Sequence, residues 1–125
     1  MTKNFSLSEF QCRCGCVMPD DVLENIKELA NNLQIIRDML CEPIKVTSGF
    51  RCEKYNRKIK GVKKSQHLLG KASDLQVKNT TPDEVANAID KLQQGGFIKK
   101  GGLGRYNSFT HYDIRGRNAY WDKRK

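Results

Sequence analysis

Ser65-Gln66-His67-Leu68-Leu69-Gly70-Lys71-Ala72-Ser73-Asp74-Leu75-Gln76-Val77 is the stretch from which the fold is read. Its second half alternates: Ala72, Asp74 and Gln76 fall on one face of a strand over Lys71 to Val77, and Ser73, Leu75 and Val77 fall on the other. Gly70 permits a sharp bend ahead of that strand. His67 and Asp74 lie seven positions apart, too far for one turn of a helix, so they meet only if Leu68-Leu69-Gly70 turns the chain back. The stretch therefore predicts a turn that carries a histidine into a strand that carries a carboxylate.

Upstream of this stretch, Ile44-Lys45-Val46-Thr47 alternates as a short strand after Pro43, ends at Ser48-Gly49 and leaves Phe50 and Arg51 at its exit. Further upstream, Val22, Ile26, Leu29, Leu33, Ile36 and Leu40 recur at steps of three and four, the stripe of an amphipathic helix that begins near Pro19-Asp20. Ser6 with Glu9 forms a capping-box pattern that opens a helical turn anchored by Phe10. Cys52 to Ile59 is weakly helical, and Lys58 to Lys64 is a solvated basic loop. Downstream, Thr81-Pro82-Asp83-Glu84 caps a second packing helix through Val85, Ile89 and Leu92 to Gly95-Gly96. Gly101 to Arg115 predicts a β-hairpin that turns at Arg105-Tyr106-Asn107-Ser108. Phe109, His111, Asp113 and Arg115 share a face of its returning strand. One α+β domain over residues 1–125, a small antiparallel sheet packed against helices, is the expected architecture, with no internal repeat, low-complexity tract or linker.

The chain has only two histidines, His67 and His111, so a site with two imidazoles must use both. With Asp74 they make a candidate set of three metal ligands and an open fourth position, the pattern of catalytic rather than structural zinc. Taken singly, each histidine is equally readable as a hydrogen-bonded structural residue.

Ser65, His67, Gly70, Ala72 and Asp74 resemble the Ser-x-His-x-x-Gly-x-Ala-x-Asp signature of the M15 zinc peptidases, at every fixed position. This is the D-alanyl-D-alanine carboxypeptidase and dipeptidase family of bacterial peptidoglycan, and the likeness points to subfamily A within it and to phage endolysin-like peptidases. It extends to Val46-Thr47-Ser48-Gly49-Phe50-Arg51, Asn56 and Gly61, to Gly101-Gly102-Leu103-Gly104, and to His111-Tyr112-Asp113 and Trp121, roughly from Phe5 to Trp121.

The resemblance implies a Hedgehog/DD-peptidase-like fold, one Zn2+ ion held by His67, Asp74 and His111, and hydrolysis of a peptide bond in peptidoglycan stem peptides. That bond is either a terminal D-Ala-D-Ala bond or an internal one such as L-Ala-D-Glu. It also implies that Arg51 contacts a substrate carbonyl or carboxylate, supported by Ser65 and Gln66. The best known family members carry an acidic residue three positions before the last histidine, where this chain has Ser108, so the general base is not carried over; some branches share the His-x-Asp ending seen here. Asp113 is the nearest substitute. It is equally a carboxylate that orients the imidazole of His111, or a partner of Arg115, and water alone is a further candidate base.

Charge and cysteines bound the alternatives. The 125 residues carry 23 Lys and Arg against 14 Asp and Glu, a net charge of +9 that favours an anionic partner: wall polymer, nucleic acid or membrane surface. No nucleic-acid recognition motif is visible, and no apolar stretch resembles a signal peptide or a membrane span. A monomer made in the cytoplasm and reaching the wall through a holin or on lysis is the expectation. The odd count of five cysteines argues against a disulfide framework. Cys12-x-Cys14-x-Cys16 lacks the spacing of zinc knuckles, so free thiols are expected, with a second metal as the lesser reading. Two other function classes compete with hydrolysis: a zinc-holding but non-catalytic wall-binding module, and a non-haem iron site built on His67, His111 and Asp113. Against the iron reading stand the short, helix-rich chain and the reversed ligand order.

Overall fold

The computed structural model describes residues 1–125. Its elements are α1 (Asp20–Leu40), β1 (Ile44–Ser48), α2 (Glu53–Lys58), β2 (Ala72–Val77), α3 (Pro82–Gln94), β3 (Gly102–Arg105), β4 (Thr110–Asp113) and β5 (Ala119–Asp122). Short 3-10 turns at Leu7–Phe10 and Gln66–Leu69 complete them. The five strands form one sheet in the order β1-β2-β4-β3-β5. The neighbours β1/β2, β2/β4 and β4/β3 are antiparallel, whereas β3 and β5 run parallel. The sheet is therefore mixed rather than wholly antiparallel, because β5 returns alongside β3 after the hairpin is complete.

Local chemistry accounts for the main elements. The stripe of α1 buries Val22, Ile26, Leu29, Leu33 and Ile36. Thr81 and Glu84 close a reciprocal capping box at the start of α3, with Pro82 as its first helical residue. Ser6 and Glu9 do the same for the turn that seats Phe10 in the core. The sheet face carrying Val46, Leu75, Leu103 and Tyr112 joins α1 and α3 in one apolar cluster of 22 buried residues.

The opposite face carries Asp74 and His111 in a single transverse row. Register pairs Ser48 with Asp74, Asp74 with His111, His111 with Gly104 and Gly104 with Trp121, one residue from each strand. Ahead of β2, Gly70 turns the chain in the left-handed region at φ 74°. A Cβ there would stand 2.7 Å from Val22 Cγ1, so α1 presses directly on the bend that returns His67 towards the sheet.

Candidate metal centre

The transverse row and the Gly70 turn bring His67, Asp74 and His111 together. One ligand atom from each lies within 4.8 Å of the other two, and all three residues are buried. Asp74 Oδ1 is 3.4 Å from His67 Nε2 and 3.1 Å from His111 Nδ1. Nitrogen and oxygen ligands at about 2.0–2.1 Å from a tetrahedral zinc ion stand about 3.3–3.4 Å apart, so the spacing fits such an ion.

The outer nitrogens strengthen that fit. His67 Nδ1 donates to Gly49 O at 2.7 Å, and His111 Nε2 donates to Asp113 Oδ2 at 2.7 Å. With those nitrogens committed as donors, the inner nitrogens turn lone pairs towards Asp74 Oδ1. Lone pairs from three buried atoms repel one another unless a proton or a metal cation sits among them.

The titration behaviour follows the same geometry. Burial pushes the Asp74 carboxyl up, but when protons rather than a metal fill that gap, hydrogen bonds from His111 and His67 outweigh it and hold it well below the usual carboxylate range. Burial pushes His111 down, yet its bonds to Asp113 and Asp74 prevail and raise it.

Asp113 is fully enclosed, and both its oxygens are taken. Oδ1 accepts from Gly102 N at 2.8 Å, Arg115 N at 3.1 Å and Arg115 Nε at 2.9 Å. Oδ2 accepts from His111 Nε2 and, at 2.7 Å, from Arg115 Nη2. Burial pushes this carboxyl up as well, but its bonds to His111 and Arg115 dominate and lower it strongly. The glycine-rich run in the first strand of the hairpin has a steric reason. A Cβ at Gly102 would collide with Asp113 Oδ2, and one at Gly104 with the indole of Trp121.

Above the three ligands opens a cavity of about 670 Å3. Asp74 is the one carboxylate on its wall, against Arg51, Lys64, Arg115, Arg117 and Lys123. Trp121 lies 4.9 Å from the His111 ring and donates from Nε1 to the Tyr106 hydroxyl at 2.9 Å; Tyr106 in turn stacks on Phe109 at 4.3 Å.

Arg51 reaches the site from the segment after β1. Nε donates to Ser48 Oγ at 3.1 Å, Nη1 to Asn56 Oδ1 at 3.3 Å and Nη2 to Asp74 Oδ2 at 3.4 Å. Ser65 caps the 3-10 turn by accepting from His67 N at 3.1 Å, and it lines the cavity with Gln66. Asp113 lies behind His111, off the cavity wall. Sequence reasoning missed Tyr106, Arg117 and Lys123 as wall residues. Only their aromatic and basic character pointed to them, and β5 and the strand-end loops are what bring them inward.

A family model described as peptidase M15 matches residues 3–113. No curated protein matches the chain. The match spans the turn with His67, the strand with Asp74 and the hairpin with His111, and on that footing the chain belongs to the M15 peptidase family.

Proposed function

We propose that this chain is a zinc-dependent peptidase acting on bacterial peptidoglycan stem peptides, as a D-Ala-D-Ala carboxypeptidase or an L-Ala-D-Glu-type endopeptidase. The observation that carries the proposal is the convergence of His67 Nε2, Asp74 Oδ1 and His111 Nδ1 at the base of a basic cavity. A zinc ion held there supplies Lewis-acid polarisation of a carbonyl and acidifies water.

The chain's own residues bind and orient the substrate. Three of Arg51's five N–H groups are used by Ser48, Asn56 and Asp74, which leaves one on each terminal nitrogen for a substrate carboxylate or carbonyl. Lys64, Arg117 and Lys123 supply further positive charge for the carboxylates of a stem peptide. Tyr106, Phe109 and Trp121 form an apolar wall suited to alanine methyl groups. Asp113, saturated by hydrogen bonds and shut off from the cavity, is assigned the task of orienting His111 rather than accepting a proton from water.

Asp74, held ionised, is a weak proton acceptor, so proton transfer in hydrolysis falls to solvent within the cavity. That same observation supports the second reading, a family member that holds zinc and binds wall polymer without cutting it. Release of amino groups from purified peptidoglycan by the zinc-loaded protein separates them. The hydrolase reading expects release that disappears in His67→Ala together with the ion of the His67–Asp74–His111 centre. A fully loaded wild type that pulls down with peptidoglycan but frees no amino groups establishes the binding module instead.

A further inference from the structure

The N-terminal loop and the segment after β1 build a second cluster that the peptidase reading does not use. Sγ atoms of Cys12, Cys14, Cys16 and Cys52 all lie within 4.8 Å of one another. Cys12 and Cys14 are 3.3 Å apart, Cys14 and Cys52 3.3 Å, and Cys12 and Cys52 3.8 Å. Four thiolates at about 2.3 Å from a tetrahedral zinc ion stand about 3.8 Å apart, close to these separations. Four sulfurs mutually this near are spaced as ligands around one centre rather than as two separate pairs.

The backbone around the cluster is arranged as it is around thiolate ligands. Cys52 N donates to Cys12 Sγ at 3.4 Å, and Tyr55 N donates to Cys52 Sγ at 3.4 Å. Such N–H donors stabilise negative sulfur and fix its direction. Gly15 takes φ 79° between Cys14 and Cys16, and its N–H bonds to Cys12 O at 3.0 Å, so the loop curls its three sulfurs to one side. Within Gln11 to Met18 there is no carboxylate to compete for a cation and one base, Arg13, to offset thiolate charge. Sequence spacing alone concealed the site because the fourth sulfur, Cys52, comes from far along the chain.

We propose that Cys12, Cys14, Cys16 and Cys52 bind one zinc ion in a closed tetrathiolate site, separate from the His67–Asp74–His111 centre. On binding, the four thiols lose their protons to solvent and all four coordination positions are filled by sulfur, so this ion is structural rather than catalytic. Its role follows from what it joins. Cys52 is the residue after Arg51, and Phe50 N already bonds to Phe10 O at 2.8 Å. The ion fastens the N-terminal loop to the strip that carries Arg51 and the Gly49 carbonyl on which His67 rests.

The test reads sulfur–metal bonding directly. Replacement of bound metal by cobalt(II) in the wild-type protein gives intense thiolate-to-cobalt charge-transfer absorption, which the histidine–carboxylate centre cannot produce. In the zinc-loaded wild type only one of the five thiols, Cys41, reacts promptly with a thiol reagent, and chelation releases the other four. The metal content is about two zinc ions per chain, and about one in a His67→Ala/His111→Ala variant that keeps the charge-transfer bands. Cys14→Ser, which leaves three thiolates, weakens those bands. Five promptly reactive thiols in the zinc-loaded wild type, absence of the cobalt–thiolate bands, or a non-reduced mass short of the hydrogens lost to disulfides would each overturn the proposal. Loss of metal from the His67–Asp74–His111 centre alone leaves the bands intact, so failure of the peptidase reading is distinguishable from failure of this one.

Discussion

Around Asp113, donors from His111, Gly102 and Arg115 take every favourable direction, and Asp113→Asn replaces one acceptor oxygen with a donor. The imidazole of His111 then loses the carboxylate that fixes its Nε2 proton. Zinc affinity is expected to fall about 10–100-fold, measured by competition with a chromogenic chelator. The same residues set the acid and alkaline limits of the metal-free protein. Asp74 and Asp113 have carboxyls lowered on folding, so their contribution to stability is complete above the unfolded value of about 3.9 and is lost as pH falls below it. His111 is raised on folding, so its contribution is complete below about pH 6.5 and is lost as pH rises through its folded value. Thermal melts of chelated protein should therefore peak between about pH 4 and 6.5, with a shallower acid limb in Asp113→Asn. A melting temperature that climbs steadily from pH 6 to alkaline pH, at about constant ionic strength, contradicts this assignment.

Elements reveal what a linear reading can and cannot carry. Leu33 and Ile89, fully buried in α1 and α3, each replaced by Ala should cost about 2–5 kcal/mol in denaturant unfolding. Thr81→Ala, which removes the cap at the start of α3, should cost about 1 kcal/mol. These positions were readable because the spacing of apolar residues and the Thr81-Pro82-Asp83-Glu84 cap are local signals. The strand pattern of Ala72 to Val77 and the bend at Gly70 were readable for the same reason. By contrast, β5 escaped notice: Ala119-Tyr120-Trp121-Asp122 is short and half exposed, and its parallel pairing with β3 depends on a partner distant in sequence. Trp121 was singled out by resemblance alone, and its place over His111 follows from that pairing. The partnership of Asp113 with Arg115, two residues on and on the same face, is readable from spacing, but its saturation is not, since the Gly102 N donor comes from the neighbouring strand. Both roles for Asp113 fit its position in the sequence; only the enclosure of its oxygens bears on the choice.

Across the whole molecule, a net charge of +9 concentrates five basic side chains on the wall of one cavity with a single carboxylate. On the proposed function, capture of an anionic wall fragment should therefore depend on salt. Raising ionic strength from 0.01 to 0.15 M shortens the Debye length from about 30 Å to about 8 Å, and kcat/KM on peptidoglycan fragments should drop about tenfold. Arg117→Glu with Lys123→Glu should lower the rate at low salt and flatten that dependence; an unchanged salt response would remove these two side chains from substrate capture. The transverse row has a different consequence. Asp74 and His111 are direct cross-strand neighbours, so a slip of one residue between β2 and β4 would send one of them to the opposite face of the sheet. With the proposed metal, a misregistered chain would be blind to the ion, and an ion present while the chain folds would act as a proofreader, drawing the population towards the one strand alignment able to hold it.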